Sequence, residues 1–154
     1  MFVDPTITAL IPHRDPFLWV DRIISSSPGL IVTEKDISSD LDIFKGHYPG
    51  QPVLPGVLLC EAIFQTGALL TSLMDSGKPE EKSTKLPVIT RIGGARFKRM
   101  VLPGDTIQME VALKETVFPA RFFKGTVRLN GKVSLRIDFA TTLVEPEKKN
   151  PPTT

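Results

Sequence analysis

From Gly56 to Leu70 the chain reads Gly-Val-Leu-Leu-Cys-Glu-Ala-Ile-Phe-Gln-Thr-Gly-Ala-Leu-Leu, apolar on almost every side of a helical wheel. That is the pattern of a helix buried all round rather than one lying on a surface. The helix is predicted from about Pro55 to Met74. Pro55 suits the first turn, where its missing N–H is not needed, and Gly77 stands just past the end. Four apolar, β-prone stretches follow: Pro87 to Phe97, Thr106 to Thr116, Arg121 to Leu129 and Lys132 to Val144. Asn130-Gly131 between the last two is a strong two-residue hairpin signal. Upstream, Phe17 to Ser25 and Leu30 to Ile37 alternate as two strands joined by a turn at Ser27-Pro28-Gly29, and Asp4 to Leu10 forms a short helix before the Pro12 breaker. Asp42 to Gly56, rich in Pro and Gly, is expected to be a shaped loop. One long helix among roughly six strands with short, hence mostly antiparallel, connections is an α+β class.

No internal repeat or linker divides the chain. A single domain over 1–144 is expected, followed by a charged, proline-rich flexible tail over 145–154. With 41% apolar residues in 154, a continuous core is affordable to the chain. A lone cysteine cannot pair within the chain, and no basic-then-apolar leader opens it, so a reducing cytoplasm is the simplest compartment. Two histidines, at 13 and 47, and no Cys/His spacing of the zinc type predict no metal. The net charge of +2 argues against non-specific nucleic-acid binding. The central helix, interrupted by Glu61 and Gln65, is not a convincing membrane span.

Glu61 is the costly residue of that helix. An unpaired carboxylate among apolar side chains loses several kcal/mol of solvation, on the order of magnitude, so it must be paired, protonated or facing a cavity. Gln65, four residues on and on the same face, can hydrogen-bond it and fix its rotamer. A structural Glu–Gln pair and a general acid both fit the pattern. The loop before the helix, Gly46-His47-Tyr48-Pro49-Gly50-Gln51-Pro52-Val53-Leu54-Pro55-Gly56, holds three prolines and three glycines and is stiff. A histidine held by such a loop beside a buried acid is a candidate base. The N–H of Gly56 has no intrahelical acceptor and the helix dipole behind it, so it can hold a carbonyl oxygen. Cys60 reads as a buried packing thiol, His13 as a loop-shaping residue and Asp105 as a turn residue. Arg96, Lys98 and Arg99 form a basic cluster, either a solvated strand or a docking patch for an acidic partner.

These residues resemble one family. Ile11-Pro12-His13-Arg14-Asp15-Pro16-Phe17-Leu18-Trp19-Val20-Asp21-Arg22 is similar to the "LPHRYPFLLVDR" stretch of the 3-hydroxyacyl-acyl carrier protein dehydratases of fatty-acid synthesis. FKGHYPGQPVLPGVLLCEAIFQ, from Phe44 to Gln65, resembles their active-site signature, and Ala95-Arg96-Phe97-Lys98-Arg99 with Pro103-Gly104-Asp105 a third block. The resemblance spans roughly Leu10 to Leu143. It implies a hot-dog fold, an antiparallel sheet wrapped around one long central helix. It also implies a homodimer, in some members a trimer of dimers, with His47 of one subunit facing Glu61 of the other. It further implies dehydration of 3-hydroxyacyl-acyl carrier protein to the trans-2-enoyl thioester. His47 takes the proton next to the thioester carbonyl, and Glu61 protonates the leaving hydroxyl. Gly56 polarises the carbonyl, and Gln65, Phe64 and Tyr48 stand at the substrate. Arg96, Lys98 and Arg99 receive the acidic carrier protein, whose phosphopantetheine arm carries the substrate, and no cofactor is implied.

Several positions depart from the family pattern. Phe64 stands where alanine is usual, as in "EAMAQ", and its ring is expected to narrow or redirect the acyl tunnel. Gly93-Gly94 replaces Asp-X, Met100 stands where proline is common, and Arg136 and Asp138 make the last strand more charged. A hydrolase is disfavoured by the Gly-His-Tyr-Pro-Gly loop, and an isomerising dehydratase by Glu rather than Asp at 61. A non-catalytic acyl-thioester binder is the remaining alternative.

Overall fold

The computed structural model describes residues 4–76 and 86–145. Gly77 and almost all of the proposed tail lie outside the described residues. Helix α1 (Pro5–Leu10) starts where Asp4 caps it, its carboxylate accepting from the Thr6 N–H at 2.9 Å. Strands β1 (Arg22–Ser27) and β2 (Leu30–Asp36) turn at Gly29, whose φ of 80° suits a residue without Cβ. A short α2 (Ile43–Gly46) precedes the central helix α3 (Gly56–Asp75). Then come β3 (Leu86–Phe97), β4 (Thr106–Val117), β5 (Ala120–Leu129) and β6 (Lys132–Val144). Asn130 and Gly131, with φ of 50° and 74°, make the β5–β6 turn, both residues left-handed as a tight hairpin requires.

The strands form one antiparallel sheet in the order β1-β2-β4-β5-β6-β3. Register shifts at Leu113/Glu115, Val127/Arg128, Ile89/Arg91 and Gly93/Arg96 bend it, because bulges add local twist and curvature. Gly94, at φ 61°, sits in the last of these bulges, which gives the Gly-Gly pair a structural reason. The curved sheet wraps α3, which packs most closely on β4 and β2. Ile107, Met109 and Val111 of β4 alternate inward and meet Ile63, Leu69 and Leu70 of the helix. This is the hot-dog arrangement.

Close approach sets the helix depth. A Cβ on Gly125 would collide with Ile63 and lie 3.2 Å from Ile137 Cγ2. Both isoleucines are buried and β-branched, hence stiff. Gly125→Ala is therefore expected to cost about 1–3 kcal/mol by overpacking, read as a lowered denaturation midpoint. An unchanged midpoint would mean that α3 shifts freely over the sheet.

Three expectations need correction. Phe17 to Asp21 joins no ladder, because two of its backbone groups bond the central helix instead, while the Phe17 N–H goes to Arg14 O and the Asp21 N–H to Glu34 O. The Trp19 N–H donates to Gln65 Oε1 at 2.8 Å, and Phe17 O accepts from Gln65 Nε2 at 2.9 Å. The Asp42 to Gly56 segment is not all loop, since buried Phe44 anchors one turn of helix. Nor is α3 buried on every side. Val57, Glu61 and Phe64, at helical spacing, form a stripe that the protomer covers only in part: Val57 is 72% exposed, and Glu61 and Phe64 are half-buried. Only α3 is long and apolar enough to cross a bilayer among the described residues, and most of its surface is enclosed by the sheet.

The edge strands differ. At the β1 edge Arg22 bridges Glu34 and Asp36 at 2.7–2.9 Å and holds the Asp36 carboxyl down to about 2. The β3 edge instead shows Val88, Ile89, Ile92 and Phe97 to solvent. A twelve-residue apolar edge of this kind invites another strand.

Candidate active site

His47 closes α2: its backbone N–H donates to Ile43 O, and it leaves the helix in an extended conformation (φ −97°, ψ 97°). The ring is pinned by Nδ1, 2.7 Å from Val53 O. A carbonyl only accepts, so Nδ1 carries the proton and the lone pair of a neutral ring is on Nε2. Tyr48, in a left-handed conformation (φ 56°), lays its ring 4.4 Å from the imidazole. The stiff loop thus presents one basic nitrogen in one orientation. Leu54 fastens it further, its N–H donating to Val101 O at 2.8 Å.

His47, Tyr48, Gly56, Leu59 and Phe97 line a mostly apolar cavity of about 880 Å³. Lys98 and Arg99 line it too, while Arg96 lies back on β3, opposite Arg136 of β6. A Cβ on Gly56 would stand 2.8 Å from the Phe97 ring, which would have to shift to admit it. Its N–H opens α3, where no intrahelical acceptor exists, and the helix dipole favours negative charge beside it.

Glu61 is not part of that wall. It lies on the partly covered stripe of α3, its side chain 22% exposed. Gln65 Nε2 donates to Glu61 Oε1 at 2.9 Å. Gln65 itself is fully enclosed, and its amide is used up by Glu61, Phe17 O and the Trp19 N–H. These bonds hold Glu61 Oε1 and stitch Phe17 and Trp19 to the helix. Phe64, one turn beyond Glu61, packs its ring 5.1 Å from Phe139, which stacks on Phe123.

His13, read from the sequence as a loop-shaping residue, turns up beside the acid, with Nε2 3.8 Å from Glu61 Oε1. Pattern reasoning had no signal for this, because forty-eight residues separate them. Asp105 takes the turn role, its carboxylate accepting from the Leu102 N–H at 2.7 Å. Cys60 is buried among apolar neighbours, which pushes its thiol up and away from reactivity.

Comparison with known proteins places this architecture. A family model described as "FabA-like domain" matches residues 11–138. A 3-hydroxyacyl-[acyl-carrier-protein] dehydratase of Chloroflexus aggregans is 50% identical over 109 residues, covering 70% of this chain and 72% of the relative. Proteins of the same name from Anaeromyxobacter sp. (strain K) and Clostridium acetobutylicum are 39% and 36% identical, covering 92% and 90% of this chain and 90% and 95% of theirs. Among solved structures, the dehydratase heterocomplex ApeI:P of Xenorhabdus doucetiae superposes with a TM-score of 0.77 at 19% identity, covering 92% of this chain and 91% of that one. The PaaI protein of E. coli superposes at 0.59 and 14% identity, covering 78% and 80%. At those identities the two structures speak for the fold alone. The sequence matches extend across the loop of His47 and the helix of Glu61, and by them this chain belongs to the FabA-like domain family.

Proposed function

We propose that this protein dehydrates 3-hydroxyacyl-acyl carrier protein to the trans-2-enoyl thioester in fatty-acid synthesis, at sites shared between two copies of the chain. The carrying observation is the split of the machinery. A base and an N–H donor line one cavity, while the acid stands apart from it, on a helix stripe that the protomer covers only in part. That stripe and the apolar β3 edge are the surfaces a second copy would cover. A twofold contact there brings His47 of one protomer towards Glu61 of the other.

In this reading the thioester carbonyl accepts from the Gly56 N–H, and His47 Nε2 removes the proton from the adjacent carbon. Charge gathers on the carbonyl oxygen, where the donor and the helix dipole stabilise it. Glu61 gives its proton to the 3-hydroxyl, the C–O bond breaks, and water departs as the double bond forms. Proton balance closes between the two groups: one accepts, the other donates. Tyr48 covers the base, and Phe64 shapes the acyl path beyond Glu61. Lys98 and Arg99 at the cavity, with Arg96 behind them, are placed to attract an acidic carrier protein in the cytoplasm.

The test is incubation of purified protein with 3-hydroxyacyl carrier protein of several chain lengths, followed by mass spectrometry. A loss of 18 Da to the enoyl thioester, the mass of the water released, is the expected result. Release of free acid would make it a hydrolase. Binding without any change would make it a non-catalytic acyl-thioester module.

A further inference from the structure

We infer that His13 is a positioning residue for Glu61: with Gln65 it secures Oε1, so that the acidic proton is carried on Oε2. This rests on the reading of Glu61 as the proton donor.

The backbone of His13 is held in two ways. Arg14 gathers the carbonyls of Thr8, Ile11 and His13 at 2.7–2.9 Å. Ser72 of α3 donates to Leu10 O at 2.8 Å and ties this segment to the central helix that carries Glu61. Its Nδ1 is buried and has no hydrogen-bond partner among the described residues. Its Nε2 points at the carboxylate, 3.8 Å from Oε1.

The second fact selects a tautomer. A proton on Nδ1 would turn the Nε2 lone pair towards the Oε1 lone pairs, which repel it. A proton on Nε2 turns a donor towards Oε1 instead, leaving Nδ1 without a partner either way. At 3.8 Å the contact is longer than a hydrogen bond. Catalytic contacts of this kind commonly tighten when substrate arrives. Gln65 Nε2 already donates to the same oxygen at 2.9 Å. An oxygen receiving two donors is the poorer place for a proton, so Oε2 carries it. This fixes which face of the carboxyl meets the leaving hydroxyl.

The experiment compares wild type, His13→Leu and His13→Gln with 3-hydroxyacyl carrier protein, alongside thermal unfolding of each. Glutamine reaches about as far as Nε2 and keeps a donor, whereas leucine fills the space without one. His13→Leu is expected to lower kcat about tenfold, since the donor to Oε1 is lost, with KM unchanged. His13→Gln is expected to recover most of that rate. Nitrogen-15 NMR of the wild type should show the Nε2–H tautomer, a reading that stands even where His13→Leu fails to fold. An active wild type with His13→Leu equally active, or with leucine and glutamine equally impaired, would overturn the inference alone. So would an Nδ1–H tautomer. An inactive wild type would instead sink the dehydratase reading beneath it.

Discussion

His47→Ala is expected to lower kcat by about 10²–10⁴-fold, the usual contribution of a positioned general base. The substitution removes two things at once, the Nε2 lone pair and the Nδ1–H bond to Val53 O. His47→Asn separates them. Its side-chain N–H can replace the bond to Val53 and keep the loop in place, but the amide has no basic nitrogen. Asparagine should therefore lose kcat as severely as alanine while preserving KM and the unfolding midpoint. Steady-state kinetics on both variants decide the matter. If His47→Asn kept a substantial rate, the ring would be a loop anchor only, and the base would have to be sought elsewhere.

The largest stability effect is expected at a buried ion pair. Lys35 and Asp21 form an ion pair at 2.7 Å, with side chains 5% and 0% exposed. Asp21 Oδ2 also accepts from the Asp36 N–H at 2.8 Å. Lys35→Met leaves that carboxylate enclosed without its cation, a change that typically costs about 3–5 kcal/mol. Against a total stability of about 5–15 kcal/mol this is a large fraction. Urea denaturation should show a much earlier midpoint for Lys35→Met than for wild type. A loss under about 1 kcal/mol would mean that water reaches Asp21 and stands in for the lysine. Replacing both partners by apolar residues should recover only part of the loss, because the Asp36 N–H would then be orphaned at about 1–3 kcal/mol.

Local signals carried most of the fold. The Asn130-Gly131 turn, the alternation of β4 and the apolar run of α3 act within a few residues, and the structure places these elements close to where the pattern predicts them. What escaped were effects of distant partners. Residues 17–21 look like strand by alternation, but the Gln65 side chain, buried in α3, takes the Phe17 carbonyl and the Trp19 N–H. The apolar run 56–70 gave no sign that one stripe would be only partly covered, because a partly covered face and a buried face are both apolar in sequence. The same limit applied to the site. Glu61 announced itself as an acid among apolar residues, and the loop of His47 by its prolines and glycines. Gln65 was legible as the partner of Glu61, though not as the stitch holding Trp19. His13 was missed because nothing local distinguishes a histidine that shapes a loop from one that loop-shaping brings to a carboxylate.

The central claim is that each site takes its base from one protomer and its acid from the other, and subunit exchange between two dead variants tests it most directly. His47→Ala and Glu61→Gln are each expected to be inactive alone. When their subunits are mixed and exchange is followed by native mass spectrometry, each mixed dimer regains one site with both native groups. Random reassociation then restores about a quarter of the wild-type rate, since half the dimers are mixed and half their sites intact. Exchange without any recovery of activity would contradict the claim.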